Sequence, residues 1–123
     1  MHALIVDDSR AMRMILKRIL LSAGFEQLSE AANGVEALER LDSNGLPDLM
    51  LVDWNMPVMN GLELIRAVRA DRTRRDIPIL MVTTETETSQ IVRALAAGAS
   101  EYLMKPFLAE AVTDKLEMLG ING

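Results

Sequence analysis

The chain has 123 residues, half of them hydrophobic and a quarter charged, which is the profile of one globular domain around one core. A formal charge of −5 and a sequence pI near 4.8 argue against nucleic acid or an anionic membrane as a general partner, because both surfaces repel an acidic protein at long range. Cysteine is absent and His2 is the single histidine, which excludes disulfides, thiolate metal sites and histidine metal clusters and agrees with a reducing cytoplasm.

In chain order, short aliphatic runs alternate with longer segments of helical period. The first run, 3–6, leads into "DDS", where Ser9 is a candidate N-cap for a helix whose face is marked by Met12, Ile15, Leu16, Ile19 and Leu20 and which stops at Gly24. A second run, 27–31, precedes a helix marked by Val35, Leu38 and Leu41. A third, 49–52, precedes one marked by Leu62, Ile65 and Val68. The fourth, 79–83, is followed by Ile91, Val92 and Leu95, ending at Gly98. The fifth, 101–104, is followed by Leu108, Val112, Leu116 and Leu119. Runs one, three and four are apolar at nearly every position, as strands covered on both faces are, so they are expected to be central. Five strands and five helices in strict alternation with right-handed crossovers predict an α/β fold, an open, doubly wound five-stranded parallel sheet. The amino-terminal apolar run is too short for a signal peptide, and no apolar segment is long enough to cross a bilayer, so a cytoplasmic location is expected. With no linker or repeat and an ending "LGING" just after the last helical segment, 1–123 reads as a single domain without an attached output domain.

Sheets of this kind bind ligands at the carboxyl ends of their strands. The residues there are Asp7 and Asp8 after the first run, Asp53 after the third, Thr83 at the end of the fourth and Lys105 after the fifth. Three carboxylates, a hydroxyl and an ammonium, scattered along the chain, would therefore meet at one edge. Crowded carboxylates repel one another unless a cation intervenes, and an all-oxygen donor set favours a hard ion such as Mg²⁺, with Mn²⁺ as a substitute. A carboxylate, a metal and a lysine together suit phosphoryl chemistry, and an aspartate can itself be the nucleophile, forming an acyl phosphate. Asp53, at the end of the central apolar run beside the only tryptophan, is the candidate acceptor. Singly, each residue has an ordinary reading: Asp7-Asp8 as a helix cap, "DWNMP" as a polar turn, Thr83 as a strand residue, Lys105 as surface. Their combination at the strand ends favours a site.

"LIVDDS", "VDWNMPVMNGLEL", "PILMVTTE" and "GASEYLMKPF" resemble the receiver domains of bacterial two-component response regulators, in particular the stand-alone, CheY-like chemotaxis type, over essentially the whole chain. The resemblance, not the residue pattern, supplies the strand order 2-1-3-4-5. It implies that Asp53 is phosphorylated, that Asp8 and Asp53 hold Mg²⁺ through their side chains with the Asn55 backbone carbonyl, and that Asp7 contributes through water. Lys105 would contact the phosphoryl group, with Pro106 following a cis peptide. Thr83 and Tyr102 would form the switch, the hydroxyl drawn to the phosphoryl group and the ring turning inward, and the fourth helix, fifth strand and fifth helix would be the output surface. Asn55 and Glu85 match positions that tune hydrolysis, and Thr84 stands where the family usually carries a smaller residue, so its bulk is expected to narrow access to Asp53. The implied partners are a histidine kinase of the CheA-like type as phosphoryl donor and a downstream protein such as a flagellar motor switch. No nucleic acid or membrane partner is expected, the protein is expected to be a monomer, and it would act as a phospho-accepting module rather than an enzyme with external turnover.

Two other classes compete for the same features. A hydrolase of the haloacid-dehalogenase type also ends a central strand on a nucleophilic aspartate, but it needs a second Asp two residues on, where this chain has Asn55. A flavodoxin-like carrier would share the fold but needs a phosphate loop rich in Ser, Thr and Gly together with aromatics for the flavin; "DDSRA" and four aromatic residues do not supply them. Arg66, Arg69, Arg72, Arg74 and Arg75 read as a solvated face. Arg10, Arg13 and Lys17, near the site end of the first helix, are candidates for meeting an acidic patch on the phosphoryl donor. The nine methionines read mainly as core fillers.

Overall fold

The computed structural model describes residues 1–84 and 88–121. Five strands alternate with five helices: β1 (His2–Val6), α1 (Arg10–Ser22), β2 (Gln27–Ala31), α2 (Gly34–Asn44), β3 (Leu49–Asp53), α3 (Gly61–Ala70), β4 (Ile79–Thr84), α4 (Thr88–Ala97), β5 (Glu101–Lys105) and α5 (Ala109–Met118). All strand pairs are parallel, in the order β2-β1-β3-β4-β5. The three strands expected to be central lie in the interior of the sheet. Every residue of β3 is buried, whereas β2 and β5 at the edges are only partly so.

Because successive strand residues point to opposite faces, β1, β3 and β4 feed two cores. Leu4, Val6, Met50, Val52, Ile79 and Met81 pack with α2, α3 and Ala94 of α4 on one side. Ala3, Ile5, Leu49, Leu51, Leu80 and Val82 pack with α1 and α5 on the other. A charged side chain inside either layer would have no water, so the polar residues of these strands gather where the strands emerge.

The helices begin where the chain supplies caps. Ser9 accepts a hydrogen bond from the Met12 amide at the start of α1, as anticipated. Asn33 does the same for α2, and Asn60 with Glu63 forms a capping box on α3. Gly24 and Gly98 follow their helices with positive φ, 100° and 122°. Several expected core markers instead face outward. Ile15, Val35, Val92, Leu95 and Leu108 are exposed, while Ala37 and Ala94 are buried in their helices' inner faces. Hydrophobicity ranks Val and Leu above Ala, but close approach of a helix to a sheet or a neighbouring helix selects the smaller side chain.

Candidate functional site at the carboxyl edge of the sheet

β1 delivers Asp7 and β3 delivers Asp53 to the same end of adjacent strands, since Val6 pairs with Val52. Asp7 is 1% and Asp53 8% exposed, whereas Asp8, one residue further on, reaches solvent. The three each offer a carboxylate oxygen within 4.8 Å of one another. Lys105, at the end of β5, extends across β4 and places its Nζ 3.3 Å from Asp7 Oδ2 and 3.4 Å from Asp53 Oδ1. The peptide bond after it, Lys105–Pro106, is cis.

One ammonium does not neutralise three carboxylates. Burial pushes the Asp53 carboxyl up, the Asp7 carboxylate pushes it further, and Asp8 adds a little; Lys105 opposes them only in part, leaving Asp53 at about 6. An ionised Asp53 is therefore short of positive charge. The donor set, three carboxylates with no sulfur or imidazole among them, fits a hard divalent cation. A shallow cleft lined by Asp8, Asn55, Met56, Pro57 and Asn60 opens beside it to solvent.

The remaining predicted residues fall around this centre. Thr83 is buried at the end of β4 opposite Met104, and Thr84 is exposed opposite Lys105. Asn55 is exposed in the loop after β3. Tyr102 lies half-buried at the edge of the α2–α3–α4 core, its ring 4.5 Å from the Lys115 ammonium. Glu85 lies outside the described residues. Trp54, buried directly after Asp53, has the Arg93 guanidinium of α4 5.8 Å from its ring centre.

Two residues that sequence reasoning left without a role also shape the site. Gly61 donates its amide to the Trp54 carbonyl at 2.9 Å, and a Cβ there would stand 2.4 Å from the Asp53 carbonyl oxygen. Gly61→Ala must therefore push the end of β3, and we expect a loss of about 3 kcal/mol in unfolding free energy by urea denaturation. The "NG" in "VMNGLEL" was the available signal. The other is Glu30 of β2. Its burial resists ionisation, but hydrogen bonds and charge from Arg13 and Lys17 outweigh that and hold the carboxyl below its usual value. Arg13 and Lys17, candidates for docking a donor, are thus already engaged, at 3.0 and 3.2 Å from Glu30.

An acidic pocket with a lysine at the carboxyl edge of a 2-1-3-4-5 sheet defines a signalling receiver, and the model of the response regulator receiver domain matches residues 3–117. The chain belongs to that family, as a CheY-like receiver domain. It is 47% identical over 123 residues to chemotaxis protein CheY1 of Helicobacter pylori strain J99, covering 99% of each chain. It is 44% identical to chemotaxis protein CheY of Pseudomonas aeruginosa, covering all of both. Among solved structures, Vibrio cholerae CheY4 superposes with a TM-score of 0.86 at 38% identity, over 95% of this chain and 96% of that one. The receiver domain of a P. aeruginosa sensor histidine kinase, determined with a magnesium ion coordinated in its active site cleft, gives 0.84 at 26% identity over 95% and 94%. Among the described residues, no helix is long and apolar enough to cross a membrane.

Proposed function

We propose that the protein is a phosphorylation-operated response regulator of chemotaxis or a chemotaxis-like relay, accepting a phosphoryl group from a histidine kinase on Asp53 and thereby changing its affinity for a protein target. The observation that carries this reading is the buried, under-neutralised Asp53 between Asp7, Asp8 and Lys105. The 44–47% identity to chemotaxis proteins supports that pathway. Asp8 and Asp53, with the Asn55 carbonyl and with Asp7 through water, would hold Mg²⁺, which when bound supplies the positive charge that phosphoryl transfer requires. In the transfer itself an Asp53 oxygen forms the new P–O bond as the P–N bond of the donor phosphohistidine breaks and its electron pair returns to the imidazole. Lys105 stabilises charge on the phosphoryl oxygens, and Thr83 donates its hydroxyl to one of them.

The new dianion biases a two-state element, drawing Thr83 toward the site and Tyr102 inward beneath the α4–β5–α5 face. Exposed Val92, Leu95 and Leu108 give that face the apolar contacts a protein target would bury. The test is intact mass after incubation with Mg²⁺ and acetyl phosphate: one added phosphoryl group in the parent and none in Asp53→Asn. No addition to the parent would end this reading.

Thr84, exposed at the mouth of the site opposite Lys105, is proposed to slow the approach of the hydrolytic water. Thr84→Ala should shorten the phosphoryl lifetime several-fold, measured as release of inorganic phosphate from the phosphorylated protein; an unchanged rate removes this role.

A further inference from the structure

Arg13 on α1 makes two contacts that tie the acidic pocket to the edge of the sheet. Its Nη1 donates to the backbone carbonyl of Asp7 at 2.6 Å, and its Nε donates to Glu30 at 3.0 Å, with only 15% of the side chain exposed. The Asp7 carbonyl belongs to the peptide unit that joins Asp7 to Asp8. Fixing that oxygen fixes the plane from which Asp8 leaves the strand, and Asp8 is the carboxylate of the three that reaches solvent. The other side of the turn is set separately, by the Ser9 amide on Asp7 Oδ1 at 2.8 Å. Glu30 is in turn held by Lys17, at 3.2 Å, and its own backbone carbonyl accepts from Arg40 of α2 at 3.1 Å.

We infer that Arg13 is a positioning residue for the metal site, a brace that orients the Asp7–Asp8 peptide for cation binding through a planar guanidinium anchored on Glu30. This rests on the metal-dependent reading above. The planar fork matters because one side chain must satisfy a carbonyl and a carboxylate in two directions, which a lysine ammonium does less well.

Electrostatics and positioning predict opposite signs. Arg13 carries positive charge beside a cation site, so if charge were its only effect, its removal would tighten Mg²⁺ binding. If it orients Asp8, its removal weakens binding, on the order of tenfold, as loss of a supporting contact to metal ligands does. The experiment is a Mg²⁺ titration of metal-free protein followed by Trp54 fluorescence, on the parent, Arg13→Met and Arg13→Lys, with circular dichroism and a urea midpoint to establish that each variant is folded. The brace predicts weaker binding in both variants, with the lysine falling between the methionine variant and the parent. Tighter binding in Arg13→Met, or parental affinity in both, overturns it. Should Arg13→Met fail to fold, Arg13→Lys decides alone, since it keeps the charge and loses the fork: parental affinity overturns the brace, and weakened affinity supports it. If the parent itself shows no Mg²⁺ response, the metal-dependent reading is overturned and the brace with it, whereas a parent that binds Mg²⁺ and variants that bind it with the parental affinity remove the brace only.

Discussion

Asp53→Asn should abolish phosphorylation and, in the metal-free protein, raise stability. The first effect follows from chemistry, because the amide oxygen cannot act as the carboxylate nucleophile. The second follows from the shifted titration. Asp53 sits at about 6 in the folded protein against 3.8 for the unperturbed group, so between those pH values the folded state holds a proton that the unfolded state has released. Stability from this group is fully present below pH 3.8, falls as pH rises and is lost by passage through 6, a total of about 3 kcal/mol. The neutral amide escapes that loss. At pH 8 without metal, Asp53→Asn should be more stable than the parent by about 2 kcal/mol, less than the full value because the amide forfeits the contact with Lys105. The gain should shrink as pH falls below 6. Urea midpoints at pH 8 and pH 5 measure it, and equal midpoints for the two proteins at pH 8 would contradict the strained-carboxylate account. Adding Mg²⁺ should stabilise the parent more than the variant, because the cation meets a full complement of charge only in the parent.

Much of this site was legible because its residues stand where apolar runs stop. Asp7 and Asp53 follow or end strands whose burial is written into consecutive aliphatic residues, Lys105 ends the half-buried edge strand β5, and parallel strands joined by crossovers must present their carboxyl ends together. What local pattern could not supply was lateral order. Nothing in the composition of 27–31 or 101–104 says that β2 lies beside β1, or β5 beside β4; that order came from the family resemblance. The outward turn of Val92 and Leu95 escaped notice for a related reason, since the position of Ala94 on the inner face depends on how closely α4 is drawn to its neighbours. Gly61 was invisible as a site residue, and Arg13 was legible only as a docking candidate, because the contact each makes is with a backbone carbonyl, Gly61 leaving room for that of Asp53 and Arg13 donating to that of Asp7. Backbone oxygens carry no residue-specific mark in a sequence.

Lys105→Met tests the opposite half of the charge balance. The ammonium is the cation within 4 Å of both Asp7 and Asp53 among the described residues, and methionine keeps most of the aliphatic stem while removing it. With Asp7 only 1% exposed, the stranded carboxylates should cost about 3 kcal/mol at pH 8 without metal. The Asp53 carboxyl should move above its parental value of about 6, because the opposing positive charge is gone. Two consequences then diverge. Mg²⁺ should bind roughly tenfold more tightly, since the pocket has lost a competing cation. Phosphoryl uptake from acetyl phosphate at saturating Mg²⁺ should nonetheless slow by roughly a hundredfold, the scale of losing one donor aimed at developing charge. Tighter metal binding with slower transfer is a combination that simple unfolding does not produce, so the pair of measurements separates a role for Lys105 at the reacting oxygens from one confined to holding the fold. Transfer at the parental rate despite tighter metal binding would assign the ammonium to neutralising Asp7 and Asp53 alone.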